Sequence, residues 1–262
     1  MTGSATLSQA LLKVERANHH ILDFENAVKA IFDLKPYSLV RENDVQAQKI
    51  YWKIQHIDER LPITLERLNV IVGDCLHNLR SALDYLAAAL APKGIPDKTS
   101  FPIWGKDPVP TAKQMESLMS RVIKGAGKDI FDAVHAIRPY NGTDPRGRQL
   151  WIINRLNNTD KHRLLLTTIF RNKGLVINQD DFGIASDFPK VEFSFVLNSA
   201  DRDPLVEGAI MFSAPLNYDK DPQLVFEVAF DEVIVKGEPV IKALVDFREA
   251  VSETIGLFGV YV

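Results

Sequence analysis

The sequence predicts an α+β protein: an antiparallel helical bundle with an inserted β-hairpin, followed by an antiparallel sheet and a C-terminal helix. Three observations point there. Between Pro62 and Ala91, Leu65, Leu68, Val72, Cys75, Leu76, Leu79, Leu83, Leu86 and Leu90 recur mostly at steps of three and four. At about 100° per residue they share one stripe of a long amphipathic helix. From Leu164 onward the apolar period shortens to that of strands, and after Pro239 the helical step returns.

Taken in order, residues 5–34 form a first helix, with Leu7, Leu11, Val14, Ile21, Phe24, Val28 and Ile31 on its stripe and Lys35-Pro36 at its end. Asn18 interrupts that stripe and is expected to find a hydrogen-bond partner, with His19 and His20 on the flank. Tyr37–Arg41 and Lys49–Gln55 are β-branched and aromatic around the polar turn Glu42-Asn43-Asp44, which predicts a hairpin at about 37–56. Pro62 opens the long helix, and Pro92-Lys93-Gly94 closes it. Five prolines from Pro92 to Pro110 surround Phe101-Pro102-Ile103-Trp104, an ordered loop pinned by its aromatics. Residues 111–137 give one or two shorter helices, capped by Thr111 and divided by Gly125-Ala126-Gly127. Residues 141–147 are loop, and a helix follows at about 148–163.

Strands are expected at Leu164–Phe170, Gly174–Asn178, Val191–Leu197, Leu205–Phe212 and Leu224–Phe230, joined by turns short enough for antiparallel pairing. The final helix runs from Pro239 to about Phe258, packing through Ile241, Leu244, Phe247, Val251, Ile255 and Phe258. Two parts result, a bundle over 1–163 and a sheet with its helix over 164–262, expected to pack as one unit.

A chain of 262 residues can bury roughly 70–75% of its unfolded surface without staples. Its single cysteine excludes an internal disulfide, and no run reaches the ~18 apolar residues of a membrane span. Both point to a cytoplasmic protein. Charge is unevenly placed: residues 121–173 hold eleven Lys and Arg against four Asp and Glu, while residues 174–262 hold six against sixteen. The basic middle could attract a polyanion or dock on the acidic C-terminal part.

There is no glycine-rich phosphate loop, no GxSxG elbow, no HExxH and no cysteine cluster. No cofactor is called for. No histidines repeat at a metal-ligand spacing either, so no metal site is assigned, though His20, His77 and His162 could be assembled in a bundle. On the long helix, His77, Arg80 and Asp84 share one flank, with Arg80 and Asp84 at i,i+4. They are assigned to a structural polar network with Asp160, which points inward with Asn157 from the 148–163 helix. On the other side of that helix project Trp151, Arg155, Asn158 and His162. Arg155 and His162, seven residues apart, fall within about 20° of each other.

The segment Arg155-Leu-Asn-Asn-Thr-Asp-Lys-His162, an R-x6-H pattern in a helical bundle, resembles the R-x4-6-H motif of HEPN domains. These helical bundles occur in many toxin, CRISPR-associated and phage-defence ribonucleases. The likeness covers at most residues 1–165, and Leu156 stands where the family usually has a polar residue after the arginine. The segments DCLHNLRSALDYLA and LNNTDKHR also resemble those of a group of bacterial and actinophage proteins.

The HEPN resemblance implies a metal-independent endoribonuclease or RNA-binding protein acting as a homodimer. Catalysis would fall to Arg155, His162 and Asn158, with Arg146, Arg148, Lys161 and Arg163 binding the RNA. Two other functions suit the same residues: a helical interaction protein whose sheet binds a protein partner, and a small-molecule binder at the bundle–sheet junction bounded by Trp104 and Trp151.

Overall fold

The computed structural model describes residues 3–92, 99–106, 108–162, 168–177, 193–195, 206–218 and 223–262. It is α+β, with six α-helices and antiparallel strands among the described residues. The helices are α1 (Gly3–Asp33), α2 (Leu61–Leu90), α3 (Ala112–Val122), α4 (Lys128–Ile137), α5 (Pro145–His162) and α6 (Val240–Phe258). The strands are β1 (Tyr37–Asp44), β2 (Lys49–Ile57), β3 (Thr168–Ile177), β4 (Phe193–Phe195), β5 (Ile210–Pro215) and β6 (Gln223–Phe230). Among the described residues no helix is long and apolar enough to cross a membrane.

The chain divides into two compact units. The first comprises Met1–Asn26, Leu68–Leu166 and Ile241–Val262; the second comprises Ala27–Arg67 and Thr167–Val240. The hairpin thus belongs with the later strands.

In the first unit α2 is the central element. Leu68, Val72, Cys75, Leu76, Leu79, Leu83, Leu86 and Leu90 are all buried, as their spacing requires. The Cys75 thiol donates to the Ala17 carbonyl of α1 at 3.5 Å, and burial pushes its pKa up to about 12. It is an inert core group. The α1 stripe is shifted at its start: Leu11 is half-exposed while Ala10 and Ala17 are fully buried. Small side chains let the backbones close up where leucine would hold them apart. Asn18 accepts from Arg248 of α6 at 2.6 Å. His20, expected on the flank, is buried, and desolvation, followed by the charge of Arg16, lowers its pKa.

Thr111 caps α3 through a full capping box with Gln114. Helix α5 starts three residues before the expected 148, because Asp144 accepts from the Gly147 N–H at 2.8 Å and Pro145 occupies the first turn. Gly147 then lies against the end of α4. A Cβ there would sit 2.0 Å from the Arg138 carbonyl oxygen and 2.4 Å from that of Ile137.

In the second unit β1, β2 and β5 form one antiparallel sheet in that order, and β4, β3 and β6 form another. Two expectations are corrected here. The strands expected at Leu164–Phe170 and Gly174–Asn178 are one strand over the described part, irregular between Asn172 and Gly174 where its pairing with β6 shifts. The strand expected at Leu205–Phe212 starts later among the described residues, as β5 from Ile210, and joins the hairpin, with Trp52 opposite Phe212. Phe212, Leu216 and Tyr218 pack around Ile50, Trp52 and Ala214 to make a small core. The expected strand Val191–Leu197 is described only over β4.

The Phe101 ring, fully buried, meets Phe258 of α6 edge-on at 6.0 Å. Phe101→Ala is expected to cost about 3–5 kcal/mol in urea unfolding, the range for emptying a large core site. A loss under about 1 kcal/mol would show that the loop is not part of the core.

Candidate functional site

The polar groups of the first unit fall into two sets with different chemistry. One lies on the flank of α2. Arg80 Nη1 is 2.9 Å from Asp84 Oδ1, an ionic contact without the alignment of a hydrogen bond. The pair also grips the loop. Arg80 Nη2 donates to the Phe101 carbonyl at 3.3 Å, and Asp84 Oδ1 accepts from the Phe101 N–H at 3.0 Å. Burial raises the Asp84 pKa against the pull of Arg80 and the Phe101 N–H, and burial lowers that of Arg80.

Asp160 was expected to meet Arg80 or His77. Its carboxylate instead lies against Gly73, where a Cβ would be 2.6 Å from Oδ1. Arg80 is engaged by Asp84 and Phe101. Desolvation first, and the charge of Asp74 second, raise the Asp160 pKa, while His77 and Lys161 act in the opposite sense. His77 itself is exposed. Asn157 is buried as expected, and neither atom of its amide has a hydrogen-bond partner among the described residues.

The second set lies on the outer side of α5. Leu150, Ile152, Ile153 and Leu156 bury the inner side, while Arg148, Arg155, Asn158, Lys161 and His162 are exposed. Arg148, Arg155 and His162 stand seven residues apart in turn. They therefore form one slowly drifting row, each about 10 Å further along the axis. Arg155 also lies over the Trp151 ring at 5.8 Å. Trp151, expected to project outward, is buried, and its ring serves as the seat for the guanidinium. None of Arg148, Arg155, Lys161 and His162 forms an ion pair with a described residue. Arg146 differs: its Nη2 is 2.8 Å from Glu253 Oε2 and its Nε donates to the same oxygen at 3.0 Å, so its fork is taken by α6. Arg163 lies outside the described residues.

His20, His77 and His162 are not gathered together, and no group of three or more His, Cys, Asp or Glu that could hold a metal ion occurs among the described residues. Trp104 lines a cleft between the loop and α3 that the sequence did not reveal, and Trp151 is not among its lining residues. No family model, curated protein or solved structure matches this chain.

The raised Asp160 pKa has a definite sign in stability. The folded state keeps a proton that the unfolded chain has already lost, so stability falls as pH rises from about 4 through the folded value. Asp160→Asn cannot ionise. Its urea midpoint, relative to the parent's, is expected to rise between about pH 4 and about pH 7. A difference that stays flat over that interval would contradict the assignment.

Proposed function

We propose that the outer face of α5 binds single-stranded RNA and cleaves it without a metal, in the manner of the HEPN ribonucleases that the R-x6-H segment resembles. The observation that supports this is the row Arg148, Arg155 and His162, exposed along a helix whose opposite side is fixed in the core.

The chemistry follows from the side chains. An imidazole can take or give a proton near neutral pH. The base removes the ribose 2′-OH proton, O2′ attacks phosphorus, the P–O5′ bond breaks, and a proton passes to O5′. The products are a 2′,3′-cyclic phosphate and a 5′-hydroxyl. Arg155 binds the phosphate through its planar fork and stabilises the charge that grows on it. Asn158, one turn before His162 on the same face, orients the imidazole or the phosphate. Arg148 and Lys161 neutralise the neighbouring backbone. Because Arg155 and His162 lie about 10 Å apart along one helix, two protomers related by a two-fold axis bring the pairs into one cleft.

Incubation of the full chain with end-labelled single-stranded RNA in EDTA tests this. Cleavage with cyclic-phosphate ends is expected, and His162→Ala and Arg155→Ala are each expected to slow it about 100-fold or more. DNA of the same sequence, lacking the 2′-oxygen, should remain whole. RNA cut equally fast by the parent and both variants would overturn the assignment.

A further inference from the structure

The first unit has a second feature that α5 does not account for. Between the segment 103–106 and α3 lies an open cleft of about 770 Å³, lined by Trp104, Lys106, Lys113 and Arg121 with Thr111 and Ser117. The three cations described there are exposed, none is ion-paired to a described residue, and no acidic side chain is among the described lining residues. Charges of one sign gathered at a concave surface focus the field on whatever anion enters.

The aromatic wall is fixed. The Trp104 indole N–H donates to the Pro108 carbonyl at 3.2 Å, and the Trp104 backbone N–H donates to Pro139 at 2.9 Å. The other wall is equally set, since the Thr111–Gln114 capping box holds the start of α3 and Met115 and Met119 are buried beneath it. A preformed site of this kind loses little entropy on binding. The floor also adjoins α5: a Cβ on Gly105 would lie 3.8 Å from Asn154 Nδ2, and Asn154 precedes Arg155 in the chain.

We propose that this cleft is the single-strand binding channel of the protein, with an unpaired base stacked on Trp104 and the flanking phosphates held by Lys106, Lys113 and Arg121. An aromatic platform set in a basic groove is the combination by which single strands are bound without regard to sequence. A duplex keeps its bases stacked inside and cannot offer one to the indole. The cleft rests on the α5 reading for its ligand, and it adds where the strand lies before it reaches Arg155.

Fluorescence anisotropy of the full chain with a labelled 2′-O-methyl oligouridylate tests this, because that strand binds but has no free 2′-hydroxyl to react. Trp104→Ala is expected to weaken binding about 5- to 150-fold, the usual effect of removing one stacking platform, and Trp104→Phe to retain most of the affinity. The triple variant Lys106→Ala/Lys113→Ala/Arg121→Ala alters exposed side chains only. It is expected to weaken binding about tenfold or more and to flatten the slope of log affinity against log salt by about two, as for three lost phosphate contacts. An RNA duplex of the same length should bind more weakly than the single strand.

An unchanged affinity and salt slope in the triple variant, equal binding of the duplex, or no binding by the parent would each overturn the channel. Failure of the α5 reading looks different: RNA cleavage, or its absence, would be indifferent to His162 while the oligouridylate still responds to the cleft variants.

Discussion

The close approach of α2 to its neighbours sets the geometry of the first unit. Helices with large side chains at the crossing lie about 10 Å apart, and small residues bring them nearer. Ala17 lets the α1 backbone reach the Cys75 thiol, and Gly73 leaves room for the carboxylate of Asp160 on α5. Gly147 gives α5 a second close contact, where its first turn abuts the terminal carbonyls of α4. With α5 fixed at both ends, the direction in which Arg155 and His162 face follows from the helical repeat alone. The desolvated Asp160 carboxylate is a consequence of the same fit.

The Arg80–Asp84 pair solves a different problem. The chain around Phe101 has no helix or strand to satisfy its backbone, yet its ring is buried. A buried N–H and C=O without partners would cost about 1–3 kcal/mol each. Arg80 and Asp84 supply both partners from adjacent turns of one helix, and in gripping the loop they are themselves partly desolvated. Such a pair adds little net stability over an apolar substitute. What it contributes is position: the segment leading from Phe101 to Trp104 leaves α2 at a defined place. The flank of α2 is thereby explained by architecture.

What the chain disclosed on inspection, and what it withheld, divides along the range of the interactions involved. The helical stripes, the Thr111 cap and the hairpin depend on neighbours a few residues apart, and their spacing exposes them. The Asp144-Pro145 start of α5 is equally local, an N-cap before a proline at the first helical position, but the glycines around it read as loop. Pairing of β5 with β2 spans more than 150 residues, and no periodicity encodes it. Trp151 lies on the same side of the helix as Arg155 and Asn158, so spacing alone predicts an outward ring. Its burial depends on what packs over it. Arg155, Asn158 and His162 were legible as one face because a single helix carries them. The cleft was not, since Trp104 and Lys106 come from a loop while Lys113 and Arg121 come from α3.

The unequal distribution of charge left open whether the basic middle of the chain serves a polyanion or its own acidic end. The structure gives Arg146 an internal partner and leaves Arg148, Arg155 and Lys161 exposed. Arg146 gives its guanidinium to Glu253, an acid of the C-terminal part, and a fork held by a carboxylate is a poor phosphate ligand. Arg148, two residues later, points elsewhere on the helix and stays exposed, as do Arg155 and Lys161. One internal contact therefore leaves most of the positive excess on α5 in water. Exposed like charges along one helix repel one another and destabilise it slightly at i,i+4 spacing, less so at seven. Sevenfold spacing keeps that repulsion low while holding Arg148 and Arg155 about 10 Å apart along the axis, a distance near the Debye length at physiological salt. The field of the row is then strong close to the helix and screened beyond it.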